Sequence, residues 1–573
     1  MCNTRNTRII FMSNLLEQAS LVMIPSGYKE DVVYSEIPIN GAGDMSLTRA
    51  SNGTRINSQG LVEVVPWNLL SYSEAFDNAA WTQDAAGTGT ISVTANYGVA
   101  PNGTTTADRI QMTKGSIYTQ IYQTMTVISG AQYTISVYLK SLSGTPTITT
   151  LYNTAVSGTK TLTTEWVRYD FTFTAASSTI YPMVALYGSD SASMDVLAWG
   201  YQLNIGSTAK PYFPTTDRLN VPRLTYQNGG GGCPSLLLEK QSTNVLTYSE
   251  QFDNAIWTKR NSTISANAIT SPDGTTNADK IQEDTSNDRH DIYQDISAVS
   301  GTTYTQSIFA KKGERDYIFM SFGSSQISSA NSFFNLNTGV VVSSPSGITS
   351  TITDMGNGWY RCTSTGTAVS SGLAYLVTGP SNNGTGISYQ GVSGNGVFIW
   401  GAQIEASSYA TSYIPSTSSS ATRVADACFK TGISSLFGTN QGTFFVDIAN
   451  AIELDLPQVT ADDNSNTNRF LLYRELTNGY WSIFLVAGGA TSSFSSTVSS
   501  TGGKFAIAYN SSGFLVYKDG TQILSFSNTV PSSLSAIRLN GRATNDLYTN
   551  KNIKEAILFP TKLTATELAQ LTA

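Results

Sequence analysis

Asn68-Leu-Leu-Ser-Tyr-Ser-Glu-Ala-Phe-Asp-Asn-Ala-Ala-Trp81-Thr82 returns as Asn244-Val-Leu-Thr-Tyr-Ser-Glu-Gln-Phe-Asp-Asn-Ala-Ile-Trp257-Thr258, 176 residues later. Pro101-Asn-Gly-Thr-Thr-Thr-Ala-Asp108-Arg-Ile110 matches Pro272-Asp-Gly-Thr-Thr-Asn-Ala-Asp279-Lys-Ile281 at an offset of 171. The same offset carries Ile121-Tyr-Gln onto Ile292-Tyr-Gln and Gly130-Ala-Gln-Tyr-Thr-Ile-Ser onto Gly301-Thr-Thr-Tyr-Thr-Gln-Ser. Trp199-Gly-Tyr-Gln-Leu203 and Trp400-Gly-Ala-Gln-Ile404 close the two stretches, followed by Tyr212-Phe-Pro and Tyr413-Ile-Pro. Blocks repeated in one order define two copies of one domain.

Within a copy the pattern is strand after strand. Tyr133, Ile135, Val137 and Leu139 alternate with Thr134, Ser136, Tyr138 and Lys140, the period of a half-buried strand. Such segments recur between Gly, Ser and Asn turns without helical periodicity, which predicts an antiparallel β-sandwich or jelly roll.

The rest of the chain divides around these copies. Residues 1–65 form an N-terminal segment with a turn at Asn52-Gly53; 66–217 hold the first copy and 218–422 the second. A Gly229–Gly232 run and Ser416–Ser420 read as loops or linkers. A different domain spans 423–573, with strands expected at Thr443–Ile448, Arg469–Leu476, Tyr480–Ala487, Lys504–Tyr509, Phe514–Lys518 and Ile553–Phe559. Asn478-Gly479 and Asp519-Gly520 are its hairpin turns. Thr564-Ala-Thr-Glu567 fits a capping box that opens a short helix through Leu571.

Composition narrows the function. Only 13% of the 573 residues are charged, and the net charge of −7 argues against nucleic acid as the main partner. No apolar stretch approaches a membrane span of about 18 residues, and the apolar run before Met12 is too short for a signal peptide. The chain is expected to be made in a reducing cytoplasm, with Met1 or Met12 as its start. Cys2, Cys233, Cys362 and Cys428 lack metal-ligand spacing and indicate neither a disulfide framework nor a zinc site.

The repeated blocks resemble domains of phage head-spike and head-fibre proteins. There, a lead-in like Cys233-Pro-Ser-Leu-Leu-Leu-Glu239 precedes the Tyr-Ser-Glu-x-Phe-Asp-Asn block, and Trp-Gly-Ala-Gln-Ile-Glu405 closes the domain. The second copy follows this pattern closely. The first replaces the lead-in with Pro66-Trp67 and ends in Asn204. Leu47–Leu61 also resembles the segment before such domains, and the style is similar to structural proteins of crAss-like phages. The C-terminal domain resembles laminin-G/concanavalin-like sandwiches.

The resemblance implies an all-β virion protein: an N-terminal virion-anchoring segment, two jelly rolls with carbohydrate-binding character and a concanavalin/laminin-G-like sandwich. It implies a head fibre or capsid decoration on the virion surface, partnered with capsid or other virion proteins. Glycans are the expected ligands, and a homo-oligomer, favoured as a trimer, the expected assembly. A tail fibre or receptor-binding protein is the alternative, and a capsule polysaccharide depolymerase a third reading.

The chemistry-bearing residues point away from an enzyme. His290, the single histidine, stands where the first copy has Thr119, and a solvated loop position is its default reading. No pair of carboxylates stands out for glycosidic cleavage. Trp81 and Trp257, and Trp199 and Trp400, read as core anchors rather than sugar platforms. Tyr317, Tyr480 and Trp481, outside the repeated pattern, are the candidate glycan platforms. Asp108, Asp273 and Asp279 are candidate ligands of a structural Ca²⁺, the competing reading being turn-capping residues. Ala461-Asp-Asp-Asn464 is a second such loop. No other cofactor is expected.

Overall fold

The computed structural model describes residues 15–148, 160–544 and 546–573. It is almost entirely β-structure, in three sandwiches. In the first copy a five-stranded sheet runs Val167–Thr174, Gln132–Ser141, Ser193–Ile205, Ala107–Thr113, Thr90–Gly98. A three-stranded sheet of Met183–Tyr187, Tyr118–Tyr122 and Thr82–Ala85 accompanies it. The alternating residues of Tyr133–Leu139 enter the core with Leu70, Phe76 and Trp81.

The second copy repeats this plan with two six-stranded sheets. Trp199 and Trp400 stand 201 residues apart, against 171 for the earlier blocks, so the second copy contains about 30 additional residues. They include the edge strand Ile348–Gly356, which makes six strands of the sheet that has five in the first copy.

Equivalent residues do equivalent work. Trp81 and Trp257 are 3% and 1% exposed, and their Nε1 groups donate to the carbonyls of Tyr72 and Tyr248. Both tyrosines have φ of +48°, so the block encodes a particular bend as well as a core residue.

The C-terminal sandwich is not confined to residues 423–573. Leu21–Met23 pairs with Lys551–Phe559, and Met45–Thr48 pairs with Ala427–Lys430. Leu224–Thr225 and Ser235–Leu238 form the edge of the sheet that holds Lys551–Phe559. Leu21, Met45, Leu224 and Leu238 share one core with Phe444, Trp481 and Leu558. The boundaries expected at 65 and 218 therefore do not delimit this sandwich: it gathers strands from three separated stretches, and the two copies leave and re-enter it. The capping box at Thr564 and Glu567 forms as expected and opens the helix Ala565–Thr572.

Two turn expectations change. Gly53 starts the strand Gly53–Ile56, which pairs with Val62–Val65, so Asn52-Gly53 does not turn a hairpin. A Cβ at Gly53 would stand 3.0 Å from Cδ of Arg223, a tight approach. Gly229–Gly232, all with positive φ, closes the hairpin at the edge of the C-terminal sandwich rather than linking domains. The cysteines also depart from expectation, because Cys233 is disulfide-bonded, whereas Cys362 and Cys428 are free and buried.

The chain's crossings between domains meet at a buried ionic cluster. Arg49 pairs with Asp426 at 2.7 Å, Arg223 pairs with Asp426 and with Glu239, and Arg423 pairs with Glu239 at 3.1 Å. Arg49, Arg223 and Arg423 come from before the first copy, between the copies and after the second, and each is at most 1% exposed. Burial pushes Glu239 up, but Arg423 and Arg223 reverse this and hold it at about 2. Breaking one member of such a pair strands a buried charge, at a cost of about 3–5 kcal/mol.

Candidate functional site

The additional strand Ile348–Gly356 extends the sheet formed by Thr303–Lys312 and Trp359–Thr367. Alternation sends Ile308, Cys362 and Ile352 toward the core and leaves threonines on the other face. Thr305 shares a hydrogen bond with Thr365 at 2.8 Å, and Thr351 with Thr363 at 2.6 Å. This hydroxyl ladder forms one wall of a cavity of about 340 Å³, within the usual size range of small-ligand sites.

Tyr409, half-buried, borders the cavity with Phe309 and Tyr413, which are 1% and 3% exposed, and Thr54–Ile56 of the N-terminal hairpin faces the ladder. That hairpin is held by Thr54 Oγ1 donating to the Tyr413 carbonyl at 2.5 Å and Val62 N donating to the Pro272 carbonyl at 2.9 Å. Arg361 stacks over Phe309 at 5.3 Å and donates to the Thr411 carbonyl and to Ser307 Oγ at 2.7 and 3.0 Å. Arg55, the other cationic lining residue, is paired with Glu63 at 2.8 Å. No Asp or Glu is among the described residues that line the cavity.

A smaller cavity of about 120 Å³ lies where the copies meet, between Leu69, Ile128 and Ile205 of the first and Trp400 and Pro415 of the second. Its wall contains Glu250, which accepts from Tyr413 Oη at 3.0 Å. Burial, followed by the charge of Asp273, pushes Glu250 up to about 8.

The structure does not assemble the residues singled out by sequence. Trp481 is 0% exposed, packed 4.4 Å from Phe505, with Nε1 donating to Ser500; it is core and cannot serve as the proposed platform. Tyr480 belongs to the same sandwich, whereas Tyr317 lies in the second copy. Gly384 stands against the Tyr317 ring: a Cβ there would lie 2.6 Å from Cδ1.

Asp108 accepts from the amides of Phe76 and Asn96 at 2.7 and 2.8 Å; Asp279 accepts from those of Phe252 and Asn267, both at 2.9 Å. Asp273 accepts from Thr275 N and Oγ1 at 2.8 and 2.7 Å, an Asx turn. These three carboxylates organise backbone, Asp108 in the first copy and Asp273 and Asp279 in the second, which is the turn-capping role named as the competing reading. Burial raises Asp279 to about 7. In the acidic loop, Asp462 pairs with Arg538 at 2.7 Å and Asp463 accepts from Ser465 N. Among the described residues no group of three or more His, Cys, Asp or Glu is arranged to hold a metal.

His290 connects the strands Asn287–Arg289 and Asp291–Ala298, as a loop position would, but it is not solvated. It is 0% exposed, with Nδ1 2.7 Å from the Asn261 carbonyl and its ring 5.0 Å from that of Tyr389. Sequence reasoning missed Thr349–Thr353 and Arg361; the alternation Ile348-Thr-Ser-Thr-Ile-Thr353 was the available signal. Among the described residues no helix is long and apolar enough to cross a membrane.

No family model and no curated protein matches the chain. Among solved structures, the Ruminococcus gnavus IT-sialidase CBM40 bound to alpha2,3 sialyllactose covers 24% of this chain and 86% of its own, at 13% identity and a TM-score of 0.22. The CBM22-1–CBM22-2 tandem domain from Paenibacillus barcinonensis Xyn10C covers 59% and 98%, at 12% identity and a TM-score of 0.19. Trypanosoma rangeli sialidase in complex with the inhibitor DANA covers 92% and 98%, at 10% identity and a TM-score of 0.21. At these TM-scores no argument about the site rests on the likenesses.

Proposed function

We propose that this protein is a structural component of a bacteriophage virion, a head fibre or spike that presents β-sandwich domains for adhesion to glycans without catalysing a reaction. The observation that carries the adhesive part is the 340 Å³ cavity, with its threonine ladder and three aromatic side chains. Hydroxyl donors and acceptors beside the half-buried Tyr409 ring suit a sugar, which offers both hydroxyl groups and apolar faces. The absence of carboxylates from the described lining favours binding over glycosidic cleavage, which ordinarily uses two. The virion part rests on the sequence resemblance of the repeated blocks. Capsid or other virion proteins are its proposed partners, through the N-terminal segment. Repetition of the chain in a homo-oligomer, favoured as a trimer, would convert weak sugar contacts into avidity.

Two measurements test the reading. Antibody labelling of intact particles should decorate the capsid; label confined to the tail end would instead make this a tail fibre or receptor-binding protein. Titration of the full chain against a glycan panel should give saturable binding that is lost on Phe309→Ala with the fold intact. Release of reducing sugar from host polysaccharide would replace adhesion with depolymerase activity.

A further inference from the structure

The two copies differ at the cavity in one electrostatic respect. In the first copy Ser136 faces Asp170 and Tyr138 faces Arg168 across paired strands. In the second, Ser307 faces Thr363 and Phe309 faces Arg361. The arginines are equivalent: Arg168 stacks over Tyr138 at 5.5 Å and donates to Ser136 Oγ and the Lys210 carbonyl, both at 2.8 Å. In each, Nε has no acceptor. The first copy thus places an aspartate two residues from its arginine on the same sheet face, where the second places a threonine.

Arg361 has no carboxylate within ion-pair distance among the described residues. Glu405 and Glu239 are the carboxylates whose charge reaches it. Glu405 already accepts from Ser242 and Thr411, while Glu239 is paired with Arg223 and Arg423. Arg55 shares Glu63 with Lys210, so Arg361 is the cationic residue of the cavity wall with no ion pair of its own among the described residues, in a chain of net charge −7.

We infer that the cavity of the second copy takes a saccharide bearing a carboxylate, with Arg361 as its anion partner and the threonine ladder holding its hydroxyl groups. This rests on the glycan-binding reading and adds the substrate class to it. The first copy, with Asp170 in place of Thr363, lacks this preference.

The test is calorimetric titration of the full chain with two matched pairs: trigalacturonate against galactotriose, and sialyllactose against lactose. At least one acidic member should bind about tenfold more tightly than its neutral partner, the effect of one added charge-assisted hydrogen bond. The pair that responds separates a uronate from a sialate. Arg361→Gln should reduce the preference to below about twofold. Thr363→Asp, which reproduces the first copy's arrangement without removing the Arg361 stack, should do the same at unchanged melting temperature. Equal binding within both pairs would overturn the acidic specificity and leave glycan binding standing. Acidic preference retained in both variants would overturn the assignment to this cavity. No binding of any of the four would overturn this inference, while the glycan panel would still decide the broader reading.

Discussion

At the residue scale, burial turns ordinary side chains into conditional ones. Glu250 borders the small cavity between the copies, where burial and then Asp273 raise it to about 8, against the partial relief of the Tyr413 hydrogen bond. Its folded value lies above the unfolded one, so the folded protein binds this proton more tightly. Its favourable contribution is complete below about pH 4.5 and is lost as pH rises through about 8. Glu250→Gln should flatten that decline, raising the melting temperature at pH 8.5 while changing little at pH 4. Parallel melting curves of variant and parent across this range would refute the effect. Glu239 works in the other direction: its value is held at about 2, so its contribution is present above about pH 4.5 and fades as pH falls toward 2.

At the element scale, the hairpin Gly53–Ile56 and Val62–Val65 acts as a wedge. Lys210 of the first copy pairs with its Glu63 at 2.7 Å, and Val62 joins a cluster with Trp359 and Trp400 of the second. The hairpin's turn rests on the glycine run, and a Cβ at Gly60 would lie 2.3 Å from the Gly229 carbonyl carbon. Gly60 has φ of +83° and Gly103 of +84°, yet a Cβ at Gly103 would meet nothing within 4 Å. Gly103→Val should therefore show backbone strain alone, about 1–3 kcal/mol. Gly60→Val should cost more, because the turn must also leave the glycine run; equal losses in chemical denaturation would show that the approach is not tight. The hairpin turns at Asn478-Gly479 and Asp519-Gly520 were legible from local signals, whereas the turn read at Asn52-Gly53 proved to be the start of this hairpin's first strand. The hairpin's placement between the copies was not legible, since Thr54, Val62 and Glu63 find partners more than 140 residues away.

At the scale of the whole molecule, the second copy is inserted on a neck. Ser242–Asn244 enters beside Ala421–Arg423, which leaves, and the two are paired antiparallel. Residues 242–423 carry their own core around Trp257, Ile308 and Ile399. Expressed alone, they should fold cooperatively. Residues 423–573 expressed alone should not, because Leu21–Met23, Met45–Thr48 and Ser235–Leu238 would be missing from their sheets and Phe444 and Leu558 would lose apolar cover. Circular dichroism melting curves separate the cases, and a sharp transition from 423–573 would disprove the shared sandwich.

The repeat, the all-β class, the C-terminal strands and the capped helix were readable from the amino-acid sequence because each depends on contacts or periodicities within a few residues. The repeat also located the paired tryptophans. What the tertiary structure decided is everything set by distant pairing. The N-terminal segment belongs to the C-terminal sandwich, three arginines from separate crossings share two carboxylates, and Trp481 is core rather than surface. The cavity belongs to the same class: its ladder strand Ile348–Gly356 is an ordinary Thr/Ser-rich strand until the fold sets it opposite a hairpin from the start of the chain. Register and burial are collective properties of a packed sheet, and no local pattern specifies which strand from another part of the chain will cover it.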